Sequence, residues 1–300
     1  MTSSTASDQI AAVLGRRLGC DVAAIEPVAG GDINDAYRAD TSAGPLFVKT
    51  RGGAETGTYA AEAAGLDWLG EPGALGVPSV VLVHDPCPDD PDAGAAPRFL
   101  ALRWIDRGPL TPSAEEALGR GLALVHAAGA PAFGFSPAAG PSRFAHVELP
   151  NDEHDTFAEF WRRCRLEPLL AYSAPALGTA GSALIERIAD RLPELAGPPE
   201  PPARTHGDLW SGNAMADAAG RPYLIDPAAH GGHREVDLAT LRVFGGPGQR
   251  CFDAYAEVHP LADGWQARIG LWQLEIVLLH VALFGGAYAQ QAVALARRYA

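Results

Sequence analysis

The sequence predicts an α+β fold with two lobes: a small N-terminal lobe built on an antiparallel sheet, and a larger, mostly helical C-terminal lobe. Short apolar runs separated by glycine, with one helical segment among them, fill residues 1–105, whereas helical spacing of apolar residues dominates residues 106–300. The chain has 300 residues, of which 47% are hydrophobic and 20% charged. This length and composition suffice for two lobes with a proper core.

The elements of the N-terminal lobe are predicted in chain order. A lead helix spans 7–18, with Ser7 as its N-cap. Strands follow at 25–29, 36–39 and 46–50, then a helix at 58–69, and further strands at 79–84 and 98–105. A loop rich in proline, aspartate and alanine separates the last two strands.

The C-terminal lobe begins with a helix whose start is predicted at Ser113, because Ser113 and Glu116 have capping-box spacing. Helices are predicted at 115–128, 156–170, 181–192, 236–244, 251–258, 262–283 and 287–299. Short strands and a polar loop are embedded among them. The proline-heavy stretch 193–202 is expected to be a surface connector.

Composition excludes several classes of protein. The 23 basic and 36 acidic residues give a net charge of −13, which disfavours a nucleic-acid partner. Four well-separated cysteines without a C-x-x-C pair indicate reduced thiols in a cytoplasmic protein, and the N-terminus lacks the pattern of a secretory signal. The apolar segment 269–288 is interrupted by Gln273, Glu275 and His280, so we expect a buried helix rather than a membrane span.

One polar segment carries the strongest chemical signal. His206-Gly207-Asp208 is followed by Asn213, and Asp226 comes thirteen residues later, after an apolar run typical of a strand. Phosphoryl transfer from ATP uses one carboxylate to accept the hydroxyl proton, and an amide oxygen with a second carboxylate to hold Mg²⁺. The spacing from Asp208 to Asn213 matches the protein-kinase catalytic loop. Each residue taken singly could instead be an ordinary turn former.

Upstream residues complete a nucleotide site. Gly30 and Gly31, followed by Ile33, lie between two short strands, where glycine lets backbone N–H groups approach phosphates, although Gly-Gly is also a common hairpin turn. Lys49 ends an apolar strand and is the only lysine of the chain, as expected of a phosphate-pairing ammonium. Glu62 on the following helix is the predicted partner of Lys49, with a solvated helix face as the alternative.

The strand entering the connection between the lobes provides a candidate adenine contact. Backbone groups of Arg103, Trp104 and Ile105 are predicted to hydrogen-bond the adenine edge. The assignment depends on position alone, because a core strand has the same pattern.

With these motifs in place, the sequence resembles the fructosamine kinase (ketosamine-3-kinase) family over nearly its whole length. The resemblance is carried by Gly30-Gly31, Phe47-Val48-Lys49, Glu62-Ala63-Ala64-Gly65-Leu66, Leu124-Val125-His126, Phe133-Gly134-Phe135, the segment 206–213, Ile225-Asp226-Pro227-Ala228 and Arg234-Glu235-Val236-Asp237-Leu238-Ala239. It implies a protein-kinase-like fold and ATP-dependent, Mg²⁺-dependent phosphorylation of the C3 hydroxyl of a sugar attached to an amine. In the family the 3-phosphate destabilises the adduct, which is deglycation repair.

The resemblance also implies roles for individual residues. Asp208 is expected to be the catalytic base, with Asn213 and Asp226 as Mg²⁺ ligands and Lys49 with Glu62 at the phosphates. The His-Gly-Asp-Leu segment with its Asn is shared with aminoglycoside phosphotransferases and choline kinases, so these remain alternatives.

Three further residues have supporting roles in this interpretation. Trp210 flanks the sugar, or is a core aromatic, while His206 and Asp237 support the catalytic loop. The chain departs from the family at Asp32, where some members have a cysteine, and at Arg103, where an acidic residue is common. The first departure removes any basis for thiol-based redox control, and the second weakens the adenine assignment.

Two other classes of protein remain as alternatives. One is a non-catalytic nucleotide-binding module, which is disfavoured because base, metal ligands and lysine are all present. The other is a metal hydrolase using His206, Asp208 and Asp226, which lacks a second histidine at ligand spacing. The sequence leaves open which ketosamine is used, whether it is free or protein-bound, and the oligomeric state.

Overall fold

The computed structural model describes residues 5–28, 34–90 and 93–300, and it confirms the predicted α+β fold with a small sheet lobe and a helical lobe. The N-terminal lobe consists of α1 (Ala6–Leu18), β1 (Val22–Pro27), β2 (Asp35–Thr41), β3 (Leu46–Thr50), α2 (Thr58–Gly70), β4 (Val80–His84) and β5 (Phe99–Arg103). Its five strands form one antiparallel sheet in the order β1-β2-β3-β5-β4.

The two helices of this lobe cover opposite faces of the sheet. Successive side chains of a strand point to opposite faces, and β5 shows this alternation: Phe99 and Ala101 pack with α1, whereas Leu100 and Leu102 pack with α2. On β3, Val48 joins the α1 cluster. The central strands are therefore buried on both faces, which fixes the orientation of every side chain along them.

The C-terminal lobe is helical with short strands inserted. Its elements are β6 (Arg107–Gly108), α3 (Pro112–Ala127), β7 (Ser142–Phe144), β8 (Val147–Leu149), α4 (Phe157–Trp161), α5 (Glu167–Leu195), β9 (Ala203–Thr205), β10 (Ala214–Asp217), β11 (Pro222–Leu224), β12 (His230–Gly232), α6 (Arg234–Thr240), α7 (Gln249–Val258), α8 (Trp265–Phe284) and α9 (Ala287–Ala296). The strands pair as a hairpin β7-β8, a pair β12-β9 and a three-stranded sheet β11-β10-β6.

Helix α8 is the centre of the largest hydrophobic cluster. Trp272 is fully buried, and its ring meets the ring of Trp161 edge-on at 5.0 Å. Among the described residues, α8 alone is long and apolar enough, by length and composition, to cross a membrane, and 56% of its most apolar window is buried inside the structure. That burial agrees with the buried helix predicted from the sequence.

Two predicted helix starts are wrong by two residues. Helix α1 is capped by Thr5, which forms a reciprocal capping box with Asp8, and not by Ser7. Helix α3 is capped by Thr111 instead of Ser113. In both cases the threonine has the extended backbone that an N-cap requires, and the serine hydroxyl lies beside the threonine hydroxyl, at 2.8 Å in α1 and 3.0 Å in α3.

The predicted helices 156–170 and 181–192 correspond to two helical segments that meet at Gly178. A π-helical turn, Arg162–Leu166, joins α4 to α5, so the first segment extends beyond the predicted end at residue 170. Gly178 has φ +66° and ψ 173°, which is not helical, and the chain is kinked there. The second segment continues to Leu195 and packs with α8 and α9.

Candidate active site

The segment after β9 forms a tight loop that requires glycine at its second position. Gly207 has φ +79°, and a Cβ there would lie 2.3 Å from the carbonyl oxygen of Ala228 and 2.8 Å from Nδ1 of His230. An arginine, as in protein kinases, would not fit. The carboxylate of Asp237 accepts hydrogen bonds from the backbone N–H groups of His206, at 2.6 Å, and Gly207, at 3.0 Å. Asp237 thus holds the loop by its backbone.

His206 links this loop to the segment that precedes Asp226. Its Nδ1 accepts the backbone N–H of Asp208 at 3.2 Å, and its Nε2 lies 2.9 Å from the carbonyl oxygen of Ile225, to which it donates. The ring is fully buried, and burial lowers the pKa of His206. Because both ring nitrogens are engaged, His206 supports the loop and is not available as a metal ligand.

Asn213 fixes the side chain of Asp208. The Asn213 amide Nδ2 donates to the carbonyl oxygen of Asp208 at 2.8 Å and to its carboxylate Oδ2 at 3.1 Å. This leaves Oδ1 of Asn213 as an acceptor. Burial raises the pKa of Asp208 well above its usual value, the charge of Asp226 adds to this, and the hydrogen bond from Asn213 works in the opposite direction.

Lys49 is directed toward the cleft by the alternation of β3. Because Val48 faces α1, Lys49 faces α2, where its ammonium lies 2.6 Å from Oε2 of Glu62. The same ammonium donates to Oδ1 of Asp226. Glu62 is only 9% exposed, so the alternative of a solvated helix face is wrong.

Burial and the Lys49 ammonium act in opposite directions on the pKa values of Glu62 and Asp226: burial raises them and the ammonium lowers them. Burial and the neighbouring Asp226 raise the pKa of Glu62 to about 7, although Lys49 favours its ionised form. For Asp226 desolvation would also raise the pKa, but the Lys49 ammonium outweighs it and the pKa is lowered. Asp226 has φ +57°, an uncommon backbone conformation for a residue with a side chain, and its side chain is 51% exposed.

A single cavity joins the predicted catalytic and phosphate-binding groups. Lys49, Glu62, Asp208 and Asp226 all line it, from four separate segments of the chain. The remaining wall comes largely from α2 and from the β7-β8 hairpin, and includes Arg51, Tyr59, Ser142, Arg143, Phe144 and Asn151. The polar side chains on the hairpin were missed by the sequence analysis, because nothing local distinguishes them from other surface residues.

The predicted adenine-binding segment has two of its three backbone N–H groups engaged inside the protein. The N–H of Arg103 donates to the carbonyl oxygen of Ser79 at 2.9 Å, and that of Trp104 to the carbonyl oxygen of Pro45 at 3.2 Å. Within the described part of the chain, the N–H of Ile105 has no hydrogen-bond partner. None of the three residues lines the cavity that contains Asp208 and Lys49.

Trp210 is not among the described residues that line this cavity, and three other predicted contacts fall outside the described ranges. Gly30, Gly31 and Ile33 lie outside the described residues. Trp210 is partly buried, and its ring meets the ring of Phe244 edge-on at 6.4 Å. Phe244 belongs to a cluster of partly exposed rings at the ends of α8 and α9, with His280, Phe284 and Tyr288.

Two buried residues behind the loop, His126 and Tyr255, were not assigned a role from the sequence. Nε2 of His126 lies 3.2 Å from the carboxylate of Asp237, and its Nδ1 lies 2.8 Å from the hydroxyl of Tyr255. Asp237 therefore accepts three hydrogen bonds. The signal available in the sequence was a histidine on the apolar face of α3, which is more often a core residue.

The geometry disfavours a metal hydrolase. Within the described ranges, one group of three or more potential metal-ligating side chains comes together, formed by Glu200, His233 and Glu235. Its carboxylates are already neutralised, since Arg234 bonds Glu200 twice and Arg268 bonds Glu235 twice. This group therefore forms part of an ion-pair network in the helical lobe.

The fold and the site define an ATP-dependent phosphotransferase with a protein-kinase-like fold. The match of the fructosamine kinase family covers residues 2–299. The chain belongs to the fructosamine kinase family.

Individual relatives agree with this assignment. A chloroplast protein-ribulosamine 3-kinase of Arabidopsis thaliana is 30% identical over 92% of this chain and 82% of its own length. A crystal structure from Thermobifida fusca, whose name places it among the fructosamine-3-kinases, is 41% identical, covers 99% of both chains and has a TM-score of 0.84. A choline/ethanolamine kinase family protein from Mesorhizobium loti, 18% identical over 98% of this chain and 93% of its own, has a TM-score of 0.61 and shares the fold.

Proposed function

We propose that the protein transfers the γ-phosphoryl group of ATP to the 3-hydroxyl of a ketosamine, a sugar joined to an amine, as a step in deglycation. The observation that carries this proposal is the convergence of Lys49, Asp208 and Asp226 on one cavity in a chain of the fructosamine kinase family. The 3-phosphate would weaken the link to the amine, as the family relationship implies.

The donor set fits a magnesium ion. Mg²⁺ prefers hard oxygen ligands, and the hydrogen bonds of Asn213 Nδ2 to Asp208 leave the amide Oδ1 of Asn213 available. Asp226 offers a half-exposed carboxylate on the cavity. We therefore assign Asn213 and Asp226 as the residues that hold Mg²⁺. When bound, the ion would neutralise charge on the phosphate oxygens.

Asp208 is assigned as the general base. Its carboxylate lines the cavity and is oriented by Asn213, so it is fixed before the acceptor arrives. The raised pKa of Asp208 makes the carboxylate a better proton acceptor once it is ionised. Lys49, held by Glu62, is assigned to the phosphates, where its charge stabilises the transition state. Positioning and electrostatics supply the rate in such reactions.

Two further contacts are assigned, one with the adenine and one with the sugar. We assign the backbone N–H of Ile105 to the adenine edge, since those of Arg103 and Trp104 are already engaged. Trp210 stands two residues after the base, and with the neighbouring ring of Phe244 it is a candidate surface for the sugar. Trp210→Leu should raise the KM for the acceptor at least tenfold and leave the KM for ATP within twofold.

The decisive experiment is ATP turnover on a panel of acceptors. Fructose-lysine and ribose-lysine adducts are compared with an aminoglycoside and with choline, and phosphorus NMR locates the phosphate on the product. We expect turnover on at least one adduct, with the phosphate on the C3 oxygen, and none on the two controls. Turnover only on the aminoglycoside or choline would replace the ketosamine assignment with one of the related phosphotransferase activities.

The setting of the reaction is proposed from composition. The four cysteines are free and the chain is strongly acidic, so we propose a reducing, cytoplasmic location. We also propose that the acceptor is a small-molecule or protein-bound ketosamine and that neither a nucleic acid nor a membrane is a partner.

A further inference from the structure

Lys49 occupies a position between two carboxylates that have different functions. One is Oε2 of Glu62 on α2, at 2.6 Å, whose side chain is 9% exposed. The other is Oδ1 of Asp226, which faces the cavity. Lys49 itself is 6% exposed. The ammonium is thus bonded to an oxygen of the same carboxylate that is assigned to Mg²⁺ in the proposed function.

An ammonium and a divalent cation compete for such a carboxylate. A cation entering beside Asn213 and Asp226 meets an oxygen that is already hydrogen-bonded, and it is repelled by the positive charge of Lys49 at close range. The ammonium is held in place by two carboxylates at once, those of Glu62 and Asp226. The ion therefore either displaces Lys49 from Oδ1 or binds through Oδ2 alone, beside the positive charge of the ammonium.

Because Lys49 is also bonded to Glu62, it can leave Asp226 and still keep one of its two ion-pair partners. If triphosphate oxygens approach Lys49, the ammonium can exchange its bond with Asp226 for bonds to phosphate while it stays bonded to Glu62. The exchange frees Asp226 for the metal. Because one side chain takes part in both binding events, each ligand raises the affinity for the other by the same factor.

We propose that Lys49 excludes free divalent metal from Asp226 in the nucleotide-free enzyme, and that it couples metal binding to nucleotide binding. The inference rests on the proposed function for the identity of the metal ligands, but it concerns binding alone and needs no acceptor. It adds a second role to Lys49 beyond contact with phosphate.

The test measures binding of Mn²⁺, a paramagnetic stand-in for Mg²⁺, by electron paramagnetic resonance without nucleotide and then with ADP. We expect Lys49→Met to bind Mn²⁺ at least tenfold more tightly than the wild type when ADP is absent. In the wild type, ADP should raise the Mn²⁺ affinity at least tenfold, and in Lys49→Met this enhancement should be at least threefold smaller, because only the phosphate ligands of ADP itself then contribute. Equal or weaker Mn²⁺ binding by Lys49→Met than by the wild type would overturn the proposal.

Four further variants separate the mechanism from general damage to the site. Lys49→Arg keeps a cation beside Asp226 and should bind Mn²⁺ as weakly as the wild type. Glu62→Gln keeps the bond between Lys49 and Asp226, so it should not bind Mn²⁺ more tightly than the wild type. Asp226→Ala should abolish the tight site when combined with Lys49→Met. If Lys49→Met does not fold, Lys49→Met/Glu62→Gln removes both members of the buried pair together, which proteins tolerate better, and it should show the same tight binding.

The outcome is independent of the acceptor panel. Failure of every ketosamine with intact coupling would reject the proposed substrate and keep the role of Lys49. Turnover of a ketosamine without any change of Mn²⁺ binding in Lys49→Met would do the reverse.

Discussion

Replacement of Asp237 by alanine tests how the protein holds its catalytic loop. The carboxylate is 1% exposed and accepts from the N–H groups of His206 and Gly207 and from the ring of His126. Each donor that loses its partner in a buried site costs about 1–3 kcal/mol, so the loss of three partners in Asp237→Ala should lower the free energy of unfolding by about 3–9 kcal/mol. That is a large part of the stability of a typical protein, which is about 5–15 kcal/mol.

The loop would also lose its backbone anchor beside Asp208. A displacement of about 1 Å at a reacting group can cost on the order of 100-fold in rate, so we expect kcat to fall by at least that factor while ATP binding changes little. The assay combines urea unfolding, followed by tryptophan fluorescence, with steady-state kinetics on the active ketosamine. The matched control is Asp253→Ala, an exposed aspartate on α7 whose contact is Gln249, which should cost less than about 0.5 kcal/mol. A loss below about 1 kcal/mol for Asp237→Ala would refute the reasoning.

Three other predictions test the site and the core. Asp208→Asn should lose more than about 99% of kcat, within the range that general acid–base catalysis supplies, and should bind ATP with unchanged affinity in calorimetry; near wild-type turnover would reject Asp208 as the base. Asp226→Ala should abolish the part of nucleotide binding that depends on Mg²⁺, measured by titrations with and without the metal, and an undiminished metal dependence would move the metal site elsewhere. Burial lowers the pKa of His230 to about 3, so above pH 6.5 the imidazole is neutral in both the folded and the unfolded protein. As the pH falls toward 3, only the unfolded protein takes up the proton, and the free energy of unfolding falls by up to about 5 kcal/mol. His230→Asn should flatten the acid side of the unfolding profile, whereas the exposed His146→Asn should leave it unchanged; a profile as steep as that of the wild type in His230→Asn would contradict the assignment.

Local patterns allowed much of the fold to be predicted from the sequence. The short apolar runs of β3 and β5 and the helical spacing after Ser113 depend on neighbours along the chain, so they are visible in the sequence. The same holds for the pairing of Asp208 with Asn213, which are five residues apart in one loop. By contrast, the helix starts at Thr5 and Thr111 and the π-helical turn between α4 and α5 depended on backbone conformation and on packing.

By itself, therefore, the sequence determined the two-lobed α+β fold, the residue types of the site and their order along the chain. Only the tertiary structure decided that Lys49 bonds Asp226, 177 residues away, and that Asp237 anchors His206, 31 residues away. The physical reason is that periodicity and turn preference arise from interactions between near neighbours. The contact between distant charges depends instead on how the lobes pack, and on how much water that packing leaves around each carboxylate.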